Sequence, residues 1–228
     1  MLRIAAAALP AIILLIKVYE ADRLEKESTG LLVSLIFLGA VSTVLAGAAE
    51  RLGAWILSFL FYEETWLYNL IFYFAVVGLA EEGFKYLILH LRTWRSPHFN
   101  CQFDGVVYAV FVSLGFALWE NVLYVLYYGM GTAVARAVTA VPGHACFGVF
   151  MGVWYGIAKR WELYGYPDRS GDARLLSILI PTLLHGCYDF IATMEPGLFT
   201  LIFLAFIVVM FLVALRLVKR LSAQDHYL

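Results

Sequence analysis

Two adjacent acids inside an apolar segment are the first indication of chemistry in this chain. Glu81 and Glu82 are followed one helical turn later by Lys85, within a stretch from Thr65 to Leu91 that is long enough to cross a bilayer. Ionisable groups at that depth are costly, and they are tolerated mainly where they face a bundle interior and have a function. The stretch therefore predicts a functional site buried in a membrane.

Further ionisable groups recur in the later apolar segments, namely Glu120, His144, and His185 with Asp189 four residues on. Hydrolysis of a peptide bond needs an activated water, a base that takes its proton and a group that stabilises the oxyanion. A glutamate can be the base, and histidines can stabilise the oxyanion. Histidine and carboxylate together also suit zinc or another divalent metal, for which we expect the ligands His144, His185, Glu120 and Glu82.

The composition is that of an integral membrane protein. Hydrophobic residues make up 63% of the 228 residues, charged residues 14%, and the mean hydropathy is +0.82. A soluble domain is nearer ~45–50% apolar and ~25% charged. The net charge of −1 suggests no nucleic-acid partner. The three cysteines show no zinc-type spacing.

The hydropathy pattern predicts an all-α, polytopic transmembrane helical bundle with about seven spans. We read residues 1–228 as a single integral membrane domain, with a motif-bearing core at about 65–193, and the first apolar run as a retained helix. The segment 52–62 is too short to span and either lies in the interface or extends the second helix. The expected spans are 2–19, 30–49, 65–91, 104–128, 133–158, 173–193 and 197–218.

The basic residues predict the orientation. Twelve of the sixteen follow the first, third, fifth and seventh spans, three lie on the other side, and Lys85 is within a span. Because basic loops stay cytoplasmic, we expect the N-terminus outside and the C-terminus inside.

The predicted depth in the membrane and the predicted helix faces both place the ionisable groups close together. At ~1.5 Å per residue, Glu81, Glu120, His144 and His185 fall within about 10 Å of one another in depth. His144 lies on a face with Gly148, Gly152 and Gly156, where small residues allow close helix contact.

Each group has a structural explanation when taken alone. Glu81 and Lys85 suit an ion pair, Glu120 and Asn121 a polar anchor, and the buried histidines interhelical hydrogen bonds. Asp104 and Arg136 stand at span ends, where solvation is the default. The shared depth favours a joint function. A small proton- or ion-coupled transporter is the alternative, although the chain has no evident repeat.

Four strings carry a family resemblance: AEEGFK at 80–85, FDGVVYAVFVSLGFALWENVLY at 103–124, RAVTAVPGHACFGVFMG at 136–152 and PTLLHGCYDF at 181–190. They resemble the PrsW family of multi-pass bacterial proteases, which is related to the CAAX prenyl endopeptidases. The match covers about residues 75–190, in order and with family-like spacing.

The resemblance implies an intramembrane endopeptidase in a bacterial cytoplasmic membrane. Its expected substrate is a single-span protein such as an anti-sigma factor, cut near the outer face in the first step of regulated proteolysis. The resemblance makes Glu81 and Glu82 the essential acids and Lys85 their basic neighbour, and it aligns Glu120 with a histidine of the CAAX-type relatives. The remaining site residues are His144 and His185, with Asn121, Asp189, Asp104 and Arg136 in support.

Overall fold

The computed structural model describes residues 2–228, with side chains from Ile4 onward. It is helical throughout, and within this range the only β-type pairing is an isolated bridge between Cys101 and Tyr227. The helices are α1 (Leu2–Ala21), α2 (Thr29–Ser58), α3 (Trp66–Ile71), a π-helix (Phe72–Gly78), α4 (Leu79–Thr93), α5 (Asp104–Tyr128), α6 (Met130–Val138), α7 (Ala140–Leu163), α8 (Pro167–Ala192) and α9 (Leu198–Ala223).

The polytopic helical bundle predicted from hydropathy is confirmed. Six helical units in the described chain are long and apolar enough to cross a membrane, with α6 and α7 together forming one of them. The uninterrupted succession of α3, the π-helix and α4 supplies a further segment of spanning length, from Trp66 to Thr93. Large apolar side chains cover the outer surface of the bundle, as a lipid-facing protein requires.

Two element boundaries differ from the hydropathy reading. The second helix continues to Ser58, so most of the segment 52–62 extends α2. The fifth span is divided at Thr139, whose backbone angles of φ −121° and ψ −74° leave the helical region. Pro142 explains the division, because it has no N–H for Val138 and its ring would meet that carbonyl in a continuous helix.

Helix α5 forms the centre of the bundle, and every residue from Asp104 to Ala117 is buried. Glycines let its neighbours approach at backbone distance. A Cβ built on Gly152 of α7 would lie 2.4 Å from the Cα of Val106, and one on Gly115 would lie 2.2 Å from the carbonyl oxygen of Ile36 on α2. The close contact predicted for the glycine face of α7 is thus confirmed, and it sets the distance between the helices that carry Glu120 and His144.

Most of the basic residues lie in the loops and adjoining helix ends at one end of the bundle. We call this the basic end, formed by residues 22–28, 94–103, 164–166 and 224–228. Lys159 Nζ donates to the Trp94 carbonyl at 2.8 Å, and the backbone N–H of Leu228 donates to the Asn100 carbonyl at 2.7 Å. The first turns of α1 and the last turns of α2 and α5 lie at the opposite end.

Filling the contact between α5 and α7 is expected to destabilise the fold. Gly152→Ala places a methyl group against backbone atoms and should cost ~1–3 kcal/mol by overpacking. Gly30→Ala is the matched control, because nothing lies within 4 Å of a Cβ at Gly30 and alanine favours a helix. Thermal unfolding in detergent, followed by circular dichroism, should show a lower midpoint for the first variant only. Equal midpoints would contradict the close approach.

Candidate active site

The centre of the site is a cluster of charges on the first turns of α4. Glu81 and Glu82 are 6% and 0% exposed, and Lys85 is completely buried. The Lys85 ammonium donates to Glu81 Oε2 at 3.1 Å and to Glu82 Oε1 at 2.8 Å. Spacings of three and four residues put all three side chains on one helix face, so the pairing follows from the sequence of α4 itself.

Glycines on two elements bring α8 against this cluster. A Cβ on Gly78, the last residue of the π-helix, would lie 2.9 Å from the Thr182 carbonyl oxygen, and one on Gly186 would lie 2.6 Å from the Phe74 ring. The wider turn of a π-helix is frequently found at functional sites. Here it ends at Gly78, three residues before Glu81, and its contact with α8 brings His185 to the cluster.

His185 faces carboxylates through both ring nitrogens. Its Nδ1 lies 2.9 Å from Glu82 Oε1, and its Nε2 lies 3.5 Å from Asp189 Oδ2 and 3.8 Å from Glu81 Oε2. The Phe147 ring stacks on the imidazole with a centroid distance of 4.7 Å. Three carboxylates and one aromatic face therefore fix the ring in place.

His144 has a tautomer that its neighbours define. Its Nδ1 lies 3.1 Å from Lys85 Nζ, and its Nε2 lies 3.0 Å from Glu120 Oε2. Because an ammonium can only donate, Nδ1 is the acceptor and Nε2 carries the proton that Glu120 accepts. The lone pair of Nδ1 consequently points to the Lys85 ammonium on α4.

Glu120 is held from a second side by α6. Arg136 donates through Nη2 to Glu120 Oε2 at 2.6 Å and through Nε to Asn121 Oδ1 at 3.1 Å, with its guanidinium 4.0 Å from the centroid of the Tyr124 ring. Asn121 in turn donates to the Ala7 carbonyl at 2.7 Å, which ties α1 to the same network. This arrangement positions the carboxylate that orients His144.

A cavity of about 660 Å³ lies between these groups and the opposite end, and we call it the cleft. Its walls come from α2, the π-helix and α4 to α8. Glu81, Glu120, His144, His185 and Asp189 line it, whereas Glu82 lies behind them and is shielded completely. Glu81 is therefore the glutamate of the pair that a water or a substrate in the cleft can reach.

Comparison with known proteins shows which family the chain is similar to. The PrsW family of intramembrane metalloproteases matches residues 27–215. Proteins named Protease PrsW are similar over most of their length. The identity is 32% to that of Halalkalibacterium halodurans, over 97% of both chains, and 34% to that of Oceanobacillus iheyensis, over 95% of this chain and 94% of the relative. It is 33% to that of Bacillus subtilis, over 83% of this chain and 82% of the relative. The chain belongs to the PrsW family. No solved structure was found to match it.

Membership of the PrsW family confirms the resemblance inferred from the four sequence strings and the assignment as a peptidase. It also makes the chain a multi-pass membrane protein whose substrates are membrane proteins. The transporter alternative finds no support, because the similar proteins are named proteases.

The donors of the PrsW site suit a divalent metal. One ligand atom from each of four buried residues lies within 4.8 Å of the other three, and those residues are Glu81, Glu82, His144 and His185. Two imidazoles with carboxylates are a donor set that zinc accepts. Glu82 Oε2 is buried and has no hydrogen-bond partner in the described part of the chain, so one oxygen of the set is unused. The residues present therefore fit a metal of the kind that the family description implies.

The structure brings together nearly all the residues expected from the sequence. Glu120 contacts His144 and Arg136 and is not one of the four clustered donors, so its position suits an orienting role. Asp104 is the exception. It lies near the basic end, where its Oδ2 accepts the N–H groups of Asn100 and Cys101 at 3.0 and 2.7 Å.

Several residues of the site were not anticipated. Phe116 lies under the Lys85 ammonium at 4.0 Å, and Phe147 stacks on His185. Their spacing gave a signal, because Phe116 is one turn before Glu120 and Phe147 is three residues after His144. Glu50 and Arg51 also line the cleft. They are two adjacent charged residues within an apolar helix that continues to Ser58. Charged residues inside an apolar segment are the same sequence signal that identified Glu81.

Proposed function

We propose that this chain is an intramembrane endopeptidase that cuts a single-span membrane protein of the anti-sigma-factor type. The observation that carries the proposal is the cluster of Glu81, Glu82, His144 and His185, buried in the bundle yet reached from a cleft large enough for a peptide segment. The cleft lies toward the opposite end, which supports cleavage near the outer face of the membrane.

Each group of the cluster has a distinct role in the proposed reaction. Glu81 takes the proton of the attacking water, since it lines the cleft. Glu82 and Lys85 fix the position of Glu81 and of His185. Glu120 and Arg136 hold His144 with its Nδ1 directed at the cluster, and Asp189 orients His185.

We further propose that Glu82, His144 and His185 hold a divalent metal, zinc by its ligand preferences. Such an ion, when bound, supplies a Lewis acid that polarises water and the substrate carbonyl. The charges support this. Among residues 4–228, Glu81, Glu82, Glu120 and Asp189 face only Lys85 and Arg136 as permanent cations, which leaves a formal charge of −2 in the cluster when the histidines are neutral.

Removing either glutamate of the pair should abolish cleavage. At position 81 an amide keeps the size of the side chain but cannot take the proton of the water. At position 82 it loses the charge that pairs with Lys85 and His185. Glu81→Gln and Glu82→Gln are expected to lower kcat by at least ~10²-fold while the protein remains folded. Glu64→Gln is the control, because Glu64 is exposed in the loop before α3. The measurement is cleavage of β-casein and of candidate single-span substrates by purified protein. Normal activity in both variants would refute the catalytic assignment.

Metal content separates a metallopeptidase from a glutamate peptidase. We expect close to one divalent ion per chain by elemental analysis, lost in His144→Ala and His185→Ala and retained in His98→Ala. His98 is a suitable control because it is exposed at the basic end. Full activity in metal-stripped wild type, with His144→Ala folded but inactive, would instead assign the histidines to the oxyanion.

The proposed orientation places the N-terminus outside and the C-terminus in the cytoplasm. The clustering of basic residues in the loops and helix ends at one end of the bundle supports it. In a variant with the native cysteines replaced, an impermeant maleimide applied to intact cells should label Gly131→Cys and leave Arg169→Cys unlabelled. The reverse pattern would invert the topology and move the proposed cleavage to the inner face.

A further inference from the structure

One wall of the cleft belongs to α2, which contacts its neighbours on both sides of Glu50. Thr43 Oγ1 lies 3.5 Å from the Phe116 carbonyl of α5, and a Cβ built on Gly53 would lie 2.4 Å from the Val76 side chain of the π-helix. Between these contacts α2 presents Glu50 and Arg51 to the cleft. This part of α2 is thus held in place on both sides of Glu50.

Glu50 differs from the other carboxylates that line the cleft. Glu81 is paired with Lys85, Glu120 with Arg136, and Asp189 with His185. Among residues 4–228, no basic nitrogen lies within 4 Å of the Glu50 carboxylate, and Arg51 forms no ion pair with it. Glu50 therefore faces the cleft as an unpaired acid, although it is partly buried in a membrane-spanning helix.

The depth of Glu50 places it beside the reacting groups. Helices α2 and α5 both run away from the basic end and contact each other at Thr43 and Phe116. Seven residues separate Thr43 from Glu50, and four separate Phe116 from Glu120, so Glu50 lies about 5 Å further toward the opposite end than Glu120. An extended peptide rises ~3.3 Å per residue, and this offset from Glu120 therefore corresponds to one or two substrate residues along the cleft.

We propose that Glu50 is a specificity-determining residue that binds a lysine or arginine side chain of the substrate, within about three residues of the cut bond. The inference rests on the proposed peptidase function. A cation is the fitting partner because the cleft already holds more acidic than basic groups, and because a charge-assisted hydrogen bond gains most where water is partly excluded. Substrate binding supplies the counter-charge that the free protein lacks at this position.

The test is a cleavage profile of the full-length protein in detergent against a proteome-derived peptide library, with new termini identified by mass spectrometry. Wild type should prefer Lys or Arg at one position near the cut. Glu50→Gln should lose that preference by about tenfold while cutting other peptides normally. Glu50→Lys should prefer Asp or Glu there. Glu64→Gln, the same change in the exposed loop, should keep the wild-type profile.

A library peptide with its basic residue changed to glutamate provides the reciprocal test. It should be a poor substrate for wild type and a good one for Glu50→Lys. Cleavage by wild type without a basic preference, or a uniform loss of all cleavage in folded Glu50→Gln, would overturn the role of Glu50 alone. No cleavage of any peptide or membrane substrate by folded wild type would overturn the proposed function and this inference with it.

Discussion

The ammonium group of Lys85 is the contact on which the site depends. It is completely buried and contacts both glutamates of α4, the unprotonated Nδ1 of His144 and the ring face of Phe116. Without it, the two adjacent carboxylates would face no permanent cation among the side chains from Ile4 onward, and breaking a buried pair of this kind typically costs ~3–5 kcal/mol. The lysine thus permits acids that would otherwise be too costly at this depth.

The bundle around Lys85 serves to hold two histidines against it. Glycine contacts bring α7 to α5 and α8 to the π-helix, so that His144 and His185 arrive from different helices. Each imidazole is then oriented by a carboxylate and flanked by an aromatic ring. The close backbone contacts at the glycines bring both histidines within reach of Lys85 and the glutamates. The polar contacts then determine which ring atoms face the cluster.

Much of this could be predicted from the sequence, and the parts that could not have identifiable causes. Helical periodicity correctly placed His144 on a glycine face, because the spacing and the size of the side chains can both be read from the sequence. The division at Thr139 was missed because a hydropathy window averages over Pro142. The π-helix has no sequence pattern in Phe72–Gly78 that distinguishes it from an α-helix. Asp104 was associated with the site by its motif, yet its depth places it at the other end of α5.

The pairing of Lys85 with Glu81 and Glu82 lies within a single helix, and this has a consequence for biogenesis. A membrane helix inserts before it packs against its neighbours, so a charged side chain whose partner is on another helix enters the lipid unpaired. Helix α4 carries its own counter-ion at spacings of three and four residues, which reduces its formal charge at this point to −1. The polar side chains on α7 and α8 then need only complete a centre that is already nearly balanced. The same lysine that stabilises the finished protein would therefore also help the segment between Trp66 and Thr93 to enter the bilayer.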